Sequence, residues 1–147
     1  MDVLDRKILN IMQKNSRITV KQIAEDCFIS SPSVSVRLQN LEGMGYIRTY
    51  QAVLDHQKLG FLIKAYVNCA VNAKDKQDFY RYIEEIPNVV ECDCITGDYS
   101  MLLKVYFTNT IELDEFITDL QRFFDTKTHI VFSTNVGPRG LQIQVNE

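Results

Sequence analysis

Apolar residues recur at helical spacing along the first third of the chain and alternate at strand spacing soon afterwards. Leu4, Ile8, Ile11 and Met12 fall at i, i+4, i+7 and i+8, which predicts a helix over about residues 2–14. Asn15-Ser16-Arg17 interrupts it. Thr19 and Gln22 have the spacing of a capping box, and Ile23, Ala24 and Cys27 give a short second helix its buried stripe. A tight break is expected at Phe28-Ile29-Ser30. Ser30-Ser31-Pro32 then starts a third helix, either serine being able to cap it and proline suiting the first turn. Val34, Leu38 and Leu41 face inward along it to about Glu42, where Gly43 and Gly45 end it. Tyr46–Leu54, rich in aromatic and β-branched residues, reads as a strand, and the polar stretch 55–60 as a linker.

The remainder alternates strands with helices. Ile63, Ala65, Val67, Cys69 and Val71 share one face of a strand over Leu62–Asn72. A helix over Asp75–Glu85 buries Phe79, Tyr82 or its neighbour, and Ile83, and Pro87 ends it. Val89–Thr96 and Met101–Phe107 form a hairpin around Gly97-Asp98-Tyr99-Ser100. Leu113, Phe116, Ile117, Leu120 and Phe124 mark a helix over Ile111–Phe124, and Thr128–Val136 is the last strand expected. The β-α-β-β-α-β order is that of a ferredoxin-like αβ-sandwich, with both helices on one face of an antiparallel sheet. The chain is therefore an α+β protein: a winged-type helix-turn-helix unit of three helices with its strand (1–54), a linker (55–60) and an αβ-sandwich domain (61–147). Tyr66, Leu102 and Tyr106 fall out of phase with the core and point to the open sheet face. Large apolar residues there predict a homodimer that pairs two such faces.

Charge permits a nucleic-acid contact in one part only. The net charge is −3 over 147 residues, but residues 1–60 carry eight basic and six acidic side chains, and the acidic excess lies beyond them. No signal peptide or hydrophobic run of spanning length is seen, so a cytoplasmic protein without membrane contact is expected.

A helix-turn-helix lays its last helix in the major groove. The outward face of the third helix offers Ser31, Ser33, Ser35, Val36, Gln39 and Asn40. Gln39 or Asn40 can pair with adenine, and Val36 can meet a thymine methyl. Arg37, with Lys21, Arg17 and Arg48, is expected to supply charge for phosphates. Phe28 stands where many such turns carry glycine, so the turn is expected to differ in geometry.

The chain resembles the Lrp/AsnC family of leucine-responsive and asparagine-sensing regulators. The matching stretches are Leu4-Asp5-Arg6-Lys7-Ile8-Leu9, Asn15-Ser16-Arg17-Ile18, Ile29 to Leu38, Leu41 to Ile47 with Tyr50, and Thr96 to Val105. The resemblance implies a transcriptional regulator whose second domain dimerises, assembles further into rings such as an octamer, and binds a small amino acid between dimers. It places the effector at Gly97, Asp98, Tyr99 and Ser100, with Ser133 and Thr134 as further hydroxyl candidates. Ser100 departs from the family pattern, which commonly has an aspartate there. The resemblance also makes Tyr46–Leu54 a hinge strand that pairs with its counterpart in a partner subunit.

Other chemistries find little support. Cys92 and Cys94 share a strand face with Val90 and read as sheet core. With only two histidines in the chain, neither a zinc site nor another cofactor is expected. His56 and His129 sit in no catalytic motif and no phosphate-binding glycine loop is present, so an enzyme is not expected. Three readings compete with a sequence-specific regulator. These are a DNA-compacting protein with little sequence preference, a ligand-binding domain carrying the helices as an attachment, and a protein-interaction adaptor.

Overall fold

The computed structural model of the chain describes residues 1–145. Its internal contacts divide it into a helical unit, residues 1–53 together with 136–145, and a sheet unit, Leu54–Asn135. The sequence placed everything after residue 60 in one domain. Residues 136–145 instead return to the helical unit, where Ile143 packs on its core.

Three helices make the helical unit: α1 (Val3–Lys14), α2 (Val20–Cys27) and α3 (Ser31–Gly43). Each starts on a side-chain cap. Asp2 accepts from the Asp5 backbone N–H while Asp5 accepts from that of Asp2. Thr19 and Gln22 exchange the same pair of bonds at the head of α2. At α3 the cap is Ser30, whose hydroxyl accepts from the Ser33 N–H at 3.3 Å. The core unites Ile8, Leu9, Ile23, Ala24, Cys27, Val34 and Leu41. Burying each large aliphatic side chain stabilises by about 1.5–3 kcal/mol.

The breaks after α2 and α3 share one hydrogen-bond pattern. At α3 the Tyr46 N–H donates to the Leu41 carbonyl and the Gly45 N–H to that of Glu42, with Gly45 at φ +77°. At α2 the Ile29 N–H donates to Ala24 and the Phe28 N–H to Glu25. Phe28 itself adopts the left-handed conformation, φ 56° and ψ 43°. The turn thus keeps the geometry glycine would give it, against the sequence expectation of a different one, because two backbone bonds hold a strained phenylalanine in place.

Tyr46–Leu54 forms no strand; the described residues between α3 and the first strand are extended or turn. Its β-favouring residues have no neighbouring strand in the chain to pair with, and propensity alone does not make a ladder. One tether holds it: the Tyr50 hydroxyl donates to Glu42 at 2.6 Å. Burial, then Glu42, pushes the Tyr50 phenol up to about 12.

The sheet unit runs β1 (Ile63–Ala70), a 3-10 turn (Ala73–Asp75), α4 (Lys76–Glu84), β2 (Val89–Cys94), β3 (Met101–Phe107), α5 (Thr110–Gln121) and β4 (Asp125–Ile130). Strand order is β2-β3-β1-β4 with every neighbour antiparallel, the ferredoxin-like arrangement. Ala65, Val67, Cys69, Met101, Leu103, Val105 and Phe107 line the covered face beneath Phe79, Ile83, Leu113, Phe116 and Leu120. Tyr80 packs against this core, whereas Tyr82 stays largely exposed.

Two strands depart from expectation. β4 begins three residues earlier than its β-branched run suggests, because Asp125 pairs with Ala70 and the ladder ends at Ile130 opposite Ala65. In β2 an irregularity between Val89 and Glu91 turns Val90 out to solvent. Cys92 packs on the core, while Cys94 is exposed and accepts from the Lys76 ammonium at 3.5 Å. Only Cys92 of that trio belongs to the core.

Phe28 is 95% exposed, so its side chain contributes no packing to offset the left-handed backbone. Phe28→Gly should therefore stabilise the helical unit by about 0.5–1 kcal/mol in urea denaturation. Destabilisation would show that the phenyl ring is needed in the folded state.

Candidate nucleic-acid interface and effector site

The residues expected to face outward from α3 lie at or near its surface. Val36, Gln39 and Asn40 are exposed, and Ser31, Ser33 and Ser35 are half-buried around its first turns. The Ser35 hydroxyl donates back to the Ser31 carbonyl at 3.2 Å, as helical serines often do. An open groove of about 510 Å³ runs along the helix past Pro32, Ser33, Val36, Asn40 and Met44, with Asp5 and Arg37 at its side.

Arg37 does not stand free for phosphate. Its guanidinium reaches Asp5 at 2.6 Å and Asp2 at 2.7 Å, and its side chain is only 25% exposed. The two acids that cap α1 therefore also bind α3. The N–H of Asp5, then the Arg37 hydrogen bond, hold the Asp2 carboxyl below its ordinary 3.8. Lys21, Arg17 and Arg48 remain at the surface. Lys21 makes a loose 4.0 Å pair with Glu25, and Arg17 and Arg48 make no ion pair among the described residues.

In the sheet unit the hairpin 97–100 closes through the Ile95 N–H donating to the Ser100 carbonyl at 2.8 Å, with Gly97 at φ +106°. The Ser100 hydroxyl is engaged in both directions: it donates to the Val71 carbonyl at 2.8 Å and accepts from the Val71 N–H at 3.2 Å. It serves as a clamp between β3 and the end of β1. Asp98 is exposed and Tyr99 half-buried.

Ser133 and Thr134 do not join this loop. They follow β4, and Thr134 accepts from Lys64 at 3.0 Å beside the start of β1, whereas Ser100 holds Val71 beyond its end. Seven strand residues separate the two anchors, roughly 23 Å. The antiparallel course of β4 carries its exit away from the hairpin.

The open sheet face is more polar than alternation alone suggests. Lys104, between Tyr66 and Tyr106 along the face, pairs with Glu91 at 3.2 Å and is 14% exposed. Burial alone would lower the Lys104 ammonium, but the Glu91 hydrogen bond and charge raise it. His56 stacks on Tyr106 at 4.0 Å between ring centroids. Sequence reasoning gave His56, Glu91 and Lys104 no role on this face. The i, i+2 spacing of Leu102, Lys104 and Tyr106 was the available signal.

Residues 1–48 match the family model described as winged helix-turn-helix DNA-binding, and residues 64–140 match that of the Lrp/AsnC ligand binding domain. The chain belongs to the Lrp/AsnC family. It is similar to the HTH-type transcriptional regulator LrpC of Bacillus subtilis strain 168, 30% identical over 133 residues that cover 90% of this chain and 92% of that protein. LrpA of the same organism is 32% identical over 132 residues, covering 89% and 97%. The solved structure of B. subtilis LrpC matches with a TM-score of 0.88 at 29% identity, covering 94% of this chain and 99% of that one. Like its Lrp/AsnC relatives, this chain is a DNA-binding transcriptional regulator with a ligand-binding domain. No helix among the described residues is long and apolar enough to cross a membrane.

Two outcomes follow from the geometry. The Asp2 carboxylate, held low first by the Asp5 N–H and then by Arg37, contributes stability that is present above pH 3.8 and lost as pH falls through its lowered value. Arg37→Ala should cost about 1–2 kcal/mol in denaturant near pH 7, a deficit that shrinks as the Asp2 carboxylate protonates. A variant of wild-type stability that loses DNA affinity would return Arg37 to phosphate contact. Ser100→Ala leaves the buried Val71 N–H and carbonyl without their partner and should cost the sheet unit about 1–2 kcal/mol in thermal or urea unfolding. An unchanged stability would show the hydroxyl free for other work.

Proposed function

We propose that this regulator reads DNA sequence through Val36, Gln39 and Asn40 of α3, with Ser31, Ser33 and Ser35 close to the backbone and Lys21, Arg17 and Arg48 on phosphates. The observation that carries this reading is the bridge of Arg37 to α1, which takes up the one cation of α3 and leaves the exposed side chains Val36, Gln39 and Asn40 uncharged. Such a face suits base edges better than non-specific phosphate binding. Arg37 is accordingly a positioning residue in this proposal.

The effector of the ligand-binding domain is proposed to be a small amino acid held at Gly97, Asp98 and Tyr99. The exposed Asp98 carboxylate suits an ammonium, and the positive-φ turn at Gly97 bares backbone amides for a carboxylate. Ser100 supports the loop from behind. If Ser133 and Thr134 also contact the effector, they come from another copy, since in one chain Thr134 is held at Lys64 and the loop at Val71, strand positions roughly 23 Å apart. A site built between subunits fits that separation. The open face with Tyr66, Leu102 and Tyr106 is the proposed dimer surface, with octamers as the higher assembly and the cytoplasm as the place of action.

Selection of bound DNA from a random pool, with and without the twenty amino acids, tests both parts. We expect an enriched motif with half-sites about 10 base pairs apart, shifted in occupancy by one or a few amino acids. Gln39→Ala or Asn40→Ala should relax single positions, and Arg48→Ala should weaken all sequences and reduce the salt slope by about one. Recovery of random DNA with a steep salt dependence would favour a compacting protein instead.

A further inference from the structure

The last described residues of the chain lie along α1, held by a ladder of its polar side chains. Asn10 pairs with Ile143 in both directions: its Nδ2 donates to the Ile143 carbonyl at 2.8 Å and its Oδ1 accepts from the Ile143 N–H at 2.9 Å. Arg6 Nη1 donates to the Gln144 carbonyl at 3.0 Å, and Gln13 Nε2 to the Leu141 carbonyl at 2.9 Å. Arg6, Asn10 and Gln13 fall at i, i+4 and i+7, one stripe of the helix, and meet the segment in antiparallel order. Reciprocal pairing by the Asn10 amide imitates what a neighbouring strand would offer.

Two further observations show that the fit is specific. Ile143, half-buried, packs against the core of the helical unit. At Gly140 an added Cβ would lie 2.7 Å from the Gln13 Cβ and 2.6 Å from its Cδ, so the chain passes where only glycine fits. Gly137 has no such neighbour. The ligand-binding family model also stops at residue 140, one residue before the first ladder bond.

We propose that the carboxy-terminal segment 141–145 is a working part of the DNA-binding unit, with α1 as a docking face for an extended backbone and the chain's own tail as its occupant. The sheet unit is then an insertion, joined to the helical unit by covalent chain at residue 54 and again after residue 135. The ladder turns the second connection from a loose end into a tether that acts on α1. The inference goes beyond the reading of α3 and the effector, because it concerns neither surface.

Hydrogen exchange on the full-length protein tests it, using Gly140→Ala, Asn10→Ala and the control Gly137→Ala. Gly140→Ala and Asn10→Ala should speed exchange of the α1 amides about tenfold and leave the amides of β1 and β3 unchanged. Gly137→Ala should match wild type. The same α1 protection in Gly140→Ala and in a chain ending at Asn135 would overturn the proposal, and the point variants keep the test alive if the shortened chain does not fold. Equal loss across the sheet unit, or α1 protection that disappears on dilution because a second copy supplies the tail, would also overturn it.

Discussion

The position of α3 depends on a charge cluster that joins the two ends of the helix-turn-helix. α3 packs chiefly on α2, through Val34 and Leu41, and its first turn is serine-rich. Arg37 crosses to Asp2 and Asp5 and fixes the helix against the start of α1. Those same carboxylates already close the capping box of α1, so one pair of acids both begins a helix and sets the rotation of another. Rotating α3 away from this bridge would uncover a partly buried guanidinium and move Val36, Gln39 and Asn40 together.

In the sheet unit β1 plays the corresponding part. It is paired on both edges, by β3 and β4, and its two ends carry different fittings: Ser100 on Val71 and Thr134 against Lys64. The effector loop is thus tied to the most enclosed strand of the sheet. The loop 97–99 cannot shift without disturbing a serine that is bonded in both directions to Val71. The Lys104–Glu91 pair lies on the open face of the same strands, where it sets a definite charge pattern among tyrosines.

Most of the fold was legible because it is local. The capping box of Thr19 and Gln22, the alternation through β1 and β3, and the stripe of Leu113, Phe116 and Leu120 depend on near neighbours in sequence, and each appears in the structure. The failures depend on distant partners. Arg37 and its acids are more than thirty residues apart, so nothing at position 37 says which way it faces. Tyr46–Leu54 has the residues of a strand but no partner in the chain, and β4 took its register from β1 against its own β-branched run. Phe28 shows local backbone bonds at a helix end overriding a conformational preference that glycine would satisfy. The tail did carry a signal, the apolar alternation of Leu141, Ile143 and Val145, although only Ile143 packs on the core and Leu141 is exposed.

That alternation bears on how the two units communicate. A regulator with one connection between sensor and DNA-binding unit can let the units move independently over the length of the linker. Here the chain leaves the helical unit after Val53 and returns to it at Val136. Its return is held by three α1 side chains and a half-buried isoleucine. The two crossings enter the helical unit at different places, one beside the Tyr50–Glu42 tether on α3 and the other along α1. Arg37 joins α1 to α3, so both segments are anchored on helices that one ion-pair cluster ties together. The cation first expected to touch phosphate is, in the structure, the joint between those two helices.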